Sequence, residues 1–341
     1  EISECLVGSE MCIRDRKNRL RKHHLRRGRG TLSEHSRLHE APLQPRGFSI
    51  CKHLSIAMQS LWMLAAAFLF SLMAACTKWC SDYFSTFELV FYRSLFGMVS
   101  LGLWVLWQKK DLRTHLWFSH IKRSCFGTLG LTIWFYTLAV LPLGTSMTLN
   151  YTSPLYMALF ASVAAIRMGR SLNFGLLAAI VAGFIGVILA LKPELHSGQE
   201  FAALIGLSAG FFSALAYSQV KELSRVGEPE WRIVFYFTLF GTVTGLIGHI
   251  ATEGMLHPVR LNDLPGLLGI GITATLAQLS LTRAWGAGNV LLTSALQFSA
   301  IVFAAVLGLL FFSEPISSET ALGIAVIITA CLLYTSDAAD D

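Results

Sequence analysis

The chain has 341 residues, of which 54% are hydrophobic and 14% charged, with a mean hydropathy of +0.56. A soluble domain carries about 25% charged residues and could not hide this much apolar surface, so water-soluble classes are excluded and a lipid bilayer is the first implied partner. The formal net charge of +6 sits entirely in residues 1–57, with 12 Lys/Arg against 6 Asp/Glu, while the rest of the chain is balanced, so no nucleic-acid partner is expected for the apolar body.

Glu1–Arg16 reads EISECLVGSEMCIRDR and Cys331–Asp341 reads CLLYTSDAADD. Both resemble translated sequencing-adapter read-through, which implies that neither end is biological. Lys17–Ala57 is rich in Arg and His and has no apolar periodicity. Three readings compete for it: an organellar transit peptide, a nucleic-acid arm, and upstream sequence read in frame. We read it as the last, with Met58 as the start. Residues 1–57 are thus expected to be a non-native or disordered leader, and residues 331–341 a non-native tail.

A spanning helix needs about 20 mostly apolar residues. Ten such runs follow Met58, near 58–76, 84–107, 124–142, 145–166, 172–191, 201–220, 231–251, 264–284, 290–312 and 320–334. The breaks between them carry turn or charge signals, such as Leu141-Pro142-Leu143-Gly144, Lys192-Pro193-Glu194, Gly227-Glu228-Pro229 and Ser313-Glu314-Pro315. The fold class expected is an all-α membrane protein with ten transmembrane helices.

Lys/Arg in short loops set the orientation. With residue 58 on the cytoplasmic side, the cytoplasmic loops hold eleven: Lys109, Lys110, Arg113, Lys122 and Arg123, then Arg167 and Arg170, then Lys221, Arg225 and Arg232, then Arg283. The opposite loops hold three, Lys78, Lys192 and Arg260. Both termini are therefore expected in the cytoplasm.

Phe87–Val99 (FELVFYRSLFGMV) and Trp231–Val243 (WRIVFYFTLFGTV) match at seven of thirteen positions with a shift of 144. Leu149-Asn150-Tyr151 echoes Leu296-Gln297-Phe298, and Thr77-Lys78 echoes Val220-Lys221. Each echo maps one span onto the fifth span after it. Five is odd, so the second copy must lie upside down relative to the first. Inverted repeats around a midplane site are typical of secondary transporters, because two similar halves in opposite orientations bring the inward-open and outward-open states close in energy. Channels also use them.

The segments WFYTLAVLPLGTSMTLNYTSPLYMALFA (134–161), GEPEWRIVFYFTLFG (227–241) and TATLAQLSLTRAWGAGNVLLTSALQFSAIVFAAVLGLLFFSEPIS (273–317) resemble the EamA-type proteins of the drug/metabolite transporter superfamily. The resemblance implies two EamA repeats, 58–192 and 193–330, in a multi-pass protein of the bacterial inner membrane. It implies an exporter or importer of metabolites, amino acids or toxic compounds, without ATP hydrolysis and with possible proton coupling. The family often carries a Gly-Glu pair after the fourth span; here that loop reads Arg167-Met168-Gly169-Arg170, while the second copy keeps Ser313-Glu314-Pro315.

Ionisable groups within spans are expensive and need a reason. Arg93 lies well inside the second span. It is expected to face the bundle or a watery cavity, for anion recognition or ion coupling, or else as a structural arginine on backbone carbonyls. Glu88 sits five residues away, about 140° around the helix, so the pair do not face each other; it is expected near the outer interface in contact with water. In Asn150-Tyr151-Thr152-Ser153-Pro154, Pro154 has no N–H, so the Asn150 carbonyl loses its helical partner. The freed carbonyl needs water, a side chain or a ligand, and Thr152 or Ser153 could supply it locally. Gln297 is the repeat counterpart of Asn150, and two carboxamides facing one cavity would suit a polar metabolite. Trp134, Tyr136, Tyr217 and Gln278 are further candidate substrate-binding residues, with helix packing or interhelical hydrogen bonding as the alternative. The glycines of Gly241-Thr242-Val243-Thr244-Gly245 fit close helix packing.

Of the seven cysteines, Cys76 and Cys80 alone share helical i,i+4 spacing. No histidine accompanies them, so neither a metal site nor a disulfide framework is expected. There is no Walker loop, no HExxH and no GxSxG with triad partners. His249 is the one histidine expected within a span, and no cluster of acids or histidines at one depth is evident. A secondary transporter of a small molecule with no cofactor is the expectation, ahead of a channel or facilitator and of an integral membrane enzyme.

Overall fold

The computed structural model describes residues 58–141, 143–169, 174–191, 197–312 and 318–340. All belong to one unit, Ile56–Asp341. The leader, Arg170, Lys192 and Glu314 lie outside the described residues.

Among the described residues there are twelve helical segments and no strand: α1 (Trp62–Cys80), α2 (Thr86–Trp107), α3 (Trp117–Val140), α4 (Leu143–Asn150), α5 (Ser153–Arg167), α6 (Phe174–Leu191), α7 (Glu200–Arg225), α8 (Glu230–Thr252), α9 (Leu264–Ala287), α10 (Val290–Gln297), α11 (Ser299–Phe312) and α12 (Ser318–Asp340). Local chemistry sets several starts. Ser85 and Glu88 form a reciprocal capping box on α2, which satisfies two of the N–H groups a helix start leaves free. The Asn289 side chain accepts from the Leu291 and Leu292 amides and opens α10.

The fourth and ninth expected spans are each broken at the repeat-related positions. α4 stops at Asn150 and α5 restarts at Ser153 with Pro154 in its first turn, where a missing N–H costs nothing. α10 stops at Gln297 and α11 restarts at Ser299, with no proline at the break.

Among the described residues, seven helices are long and apolar enough to cross a membrane, two of them running through these breaks (Thr145–Arg167 and Val290–Leu307). α3 is not among them. Its apolar character is diluted by Arg123, Thr128, Gly130 and Thr137, all buried against other helices. Large exposed side chains such as Leu106, Trp107, Phe174 and Phe201 mark outward faces that suit lipid rather than water.

The main helix pairings are α1 with α9, α3 with α7, α2 with α8 and α6 with α12. With α4–α5 counted as the fourth span and α10–α11 as the ninth, moving every span on by five exchanges the first two pairings and leaves each of the others unchanged. The α2–α8 seam shows this residue by residue. Gly97 abuts Thr238, while Gly241 abuts Ser94, its repeat-related reciprocal. Gly245 meets the Phe91 backbone at one end, and Trp104 and Trp231 meet 6.0 Å apart at the other. Numbers rise on one helix as they fall on its partner, so α2 and α8 run antiparallel. The lysine echo has a shared job: Lys78 donates to the Leu138 carbonyl near the end of α3 (2.9 Å), and Lys221 to the Gly288 carbonyl after α9 (2.7 Å). A cation at a helix C-terminus is favoured by the unsatisfied carbonyls there.

Candidate functional site

Antiparallel packing of α2 on α8, with α3 and α9 alongside, leaves a cavity that reaches both helix breaks. Its volume is about 70 Å³, room for several waters. Arg93 from α2 and Arg123 from α3 enter it, both buried (3% and 1% exposed). Their guanidinium carbons lie 5.6 and 4.3 Å from the centre of one ring, Phe237 of α8. Phe237 is the repeat counterpart of Arg93. The two meet because both lie within a turn of the middle of the α2–α8 seam, where Gly97 abuts Thr238 and Gly241 abuts Ser94. Arg93 Nη2 donates to Gln278 Oε1 of α9 over 3.5 Å, a long and weak bond. Among the described residues no acidic side chain lines the cavity.

The two breaks touch. Gln297 Nε2 donates to Ser153 Oγ (3.1 Å), joining the end of α10 to the start of α5. Tyr217 of α7 stacks on Trp285 with ring centres 5.1 Å apart and turns its hydroxyl toward Ser213 and Gln297. Gly210 lets α7 approach the first break; a Cβ there would lie 3.1 Å from the Ser153 amide and 3.2 Å from the Leu149 carbonyl.

Of the residues singled out from the sequence, Arg93, Trp134, Asn150, Tyr151, Tyr217, Gln278 and Gln297 lie on the cavity wall. Three do not. Tyr136 is 37% exposed on the outward face of α3, because it follows Trp134 by two residues and so points about 200° away around the helix. Thr152 donates to the Leu149 carbonyl (2.7 Å) and serves the break itself. Pro154 is buried within the first turn of α5. Arg123 corrects the loop assignment: it lies inside α3, and its neighbour Lys122 alone is exposed, 4.6 Å from the Phe118 ring centre. Ser213 and Phe237 also lie on the wall without a prior signal.

Glu88 corrects a second expectation. It is fully buried, not in contact with water. Its carboxylate accepts from the His257 amide (2.7 Å) and the Ser85 amide (3.1 Å) and pairs with His257 Nδ1 (2.8 Å). His249 joins Ser85 Oγ to the Met255 carbonyl (3.0 and 3.1 Å). With Glu253, these groups place their ligand atoms within 4.8 Å of one another, an acid–histidine cluster that the sequence did not reveal. The hydrogen bonds tie the start of α2 to the end of α8 and the loop that follows.

The far end of the same helix pair is closed by Glu228. Arg232 Nη1 donates to it (2.8 Å), Thr114 Oγ1 donates to it, and His120 lies 3.6 Å away. Arg232 Nη2 also donates to the Asp111 carbonyl, and Tyr236 to that of Leu112. Burial pushes the Glu228 carboxyl up, but the Thr114 and Arg232 hydrogen bonds, then the charges of Arg232 and His120, outweigh it and hold the group below the usual carboxylate range. The stability it contributes is therefore present above the ordinary carboxylate pKa and is lost as pH falls through the lowered value.

The model of the EamA-like transporter family matches this chain twice, over residues 57–192 and 200–336. The chain is similar to "Pseudopaline exporter CntI" of Pseudomonas aeruginosa (strain UCBPP-PA14), 29% identical over 267 residues that cover 78% of this chain and 92% of that protein. It is similar to "Riboflavin transporter" of Rhizobium johnstonii, 27% identical over 282 residues, 80% of this chain and 89% of that one. A solved crystal structure shares the fold with a TM-score of 0.71 at 20% identity, over 83% of this chain and 99% of the other. Two family matches in tandem, on an all-helical body with several membrane-length helices, make this chain a member of the EamA-like transporter family and a multi-pass membrane transporter rather than an enzyme.

Proposed function

We propose that the chain is a secondary transporter that exports a small metabolite or amphipathic compound across the bacterial inner membrane by alternating access. In this reading, ten spanning units form two inverted five-helix repeats, 58–192 and 193–330, with both termini cytoplasmic. The reciprocal antiparallel α2–α8 seam carries the proposal, because repeat-related helices that meet head to tail are what an upside-down second copy requires. Substrate binds where the two broken helices meet Arg93 and Arg123. The cavity is small, so a metabolite enters only when the halves part toward one side. Near-equal energies of the two openings follow from the likeness of the halves. The relative named as an exporter favours the outward direction.

Counterflow in liposomes carrying the full chain tests the mechanism. Saturable exchange that accelerates with substrate on the far side is expected; flux that never saturates points to a channel, and product without translocation would restore an enzyme. In the same assay Asn150→Ala is expected to raise the half-saturation concentration by roughly three- to tenfold, the loss of one hydrogen bond of about 1 kcal/mol, with expression little changed. An unchanged half-saturation removes Asn150 from the binding site.

The inverted topology has its own test. Arg113 and Arg225 are exposed, and their neighbourhoods meet through Arg232 and the Asp111 carbonyl. Single Arg113→Cys and Arg225→Cys variants in a cysteine-free background should both react with an impermeant maleimide from the same, cytoplasmic, side. Labelling from opposite sides would end the two-repeat reading.

A further inference from the structure

We infer that the cavity takes a small organic oxyanion, a carboxylate- or phosphate-bearing metabolite, held between Arg93 and Arg123. The inference rests on the transport reading for what happens after binding, not for binding itself. Its basis is an imbalance of polar atoms. Among the described residues on the cavity wall, six buried side-chain polar atoms have no protein partner, and five of them are donors: Arg93 Nε and Nη1, Arg123 Nε and Nη1, and Trp134 Nε1. Gln297 Oε1 is the one acceptor in that group.

Two cations in a low-dielectric site are costly unless a counter-charge comes with them. No carboxylate lines the cavity, and neither arginine has an ion-pair partner among the described residues. Phe237 offers both guanidiniums the negative face of one ring, which softens the repulsion but carries no net charge. What remains unmet is an acceptor-rich group of negative charge. Guanidinium forks match carboxylate and phosphate oxygens geometrically and are weakly hydrated enough to work when buried. Trp134, Tyr151 and Phe237 line the same space and suit an organic body rather than a bare inorganic ion. Both arginines come from the first repeat, whereas the repeat counterpart of Arg93 is aromatic, so the site is one-sided in charge although the scaffold is two-fold.

Arginine-specific chemistry on the wild-type chain tests this without a known substrate. The full chain in uncharged detergent is treated with phenylglyoxal, and modification at Arg93, Arg123 and the exposed Arg225 is read by peptide mass spectrometry. Succinate or glycerol 3-phosphate is expected to slow modification at Arg93 and Arg123 by about tenfold at concentrations near ten times its dissociation constant, with Arg225 unaffected. Which of the two protects distinguishes carboxylate from phosphate ester. Equal slowing at Arg225, protection by the dication putrescine, or protection by phosphatidylglycerol alone would overturn the inference. So would an absence of modification at both cavity arginines, since a pocket closed to a small dicarbonyl admits no metabolite. None of these outcomes touches the counterflow result, so the two readings fail separately.

Discussion

Arg123→Leu is expected to lower saturable flux by roughly 10- to 150-fold while leaving the unfolding temperature unchanged or higher. The flux estimate follows from losing hydrogen bonds to a charged group, about 1.5–3 kcal/mol, at 1.4 kcal/mol per tenfold. The stability estimate follows from the absence of an acidic partner among the described residues. Arg123 is 1% exposed, its Nε and Nη1 have no protein partner among the described residues, and its charge faces the Phe237 ring. Replacing such a charge by a shorter apolar side chain relieves a desolvation cost rather than breaking an ion pair. A structural arginine would behave oppositely, with a fall in melting temperature and flux lost in proportion to folded protein. Arg93→Ala should likewise abolish transport in a protein that still inserts, and Arg123→Lys should recover part of the flux. Flux near wild type in either arginine variant would remove the pair from the mechanism. The readouts are counterflow and thermal unfolding on the same purified samples.

Gly245→Leu is expected to yield no folded protein, and Gly245→Ala a clearly lowered unfolding temperature. A Cβ at Gly245 would sit 2.8 Å from the Phe91 amide nitrogen, 2.9 Å from its Cα and 3.1 Å from the Phe87 carbonyl. All three are backbone atoms, which cannot rotate away as a side-chain tip can. The helices must separate, and with them the reciprocal contacts at Gly97 and Gly241. Overpacking costs about 1–3 kcal/mol where side chains can adjust, and more is expected against backbone. Gly102 is the control on the same seam: its Cβ would meet Phe235 at 3.6 Å, ordinary contact, so Gly102→Ala should be tolerated. Monodisperse yield and melting temperature in detergent decide the matter. Wild-type values for Gly245→Leu would mean that the two helices do not pack this closely.

The seam also explains why some of the site was legible and some was not. Arg93 stood out because it interrupts a long apolar run, a property of neighbours in sequence. Arg123 did not, because it adjoins Lys122 where an apolar run begins, and a hydropathy window cannot separate two adjacent charges. On the helix they lie about 100° apart, one exposed and one in the cavity. The break at Asn150 was legible through Pro154, whereas the break at Gln297 has no proline and was visible only as a faint repeat. Glu88 looked like an interface acid because its partners, His249 and His257, lie more than 160 residues away.

From the sequence alone came the membrane setting, the bounds of most helices to within a few residues, and an internal repeat at a shift of 144, because hydropathy and internal similarity are properties of contiguous residues. The tertiary structure decided which polar side chains share a space. A buried position on a helix is defined by its angle around the axis and by the helix that covers that face, and neither is written in any local run of residues. The pairing of α2 with α8 therefore brought Arg93 to Phe237, and the pairing of α3 with α7 turned Arg123 inward to join them.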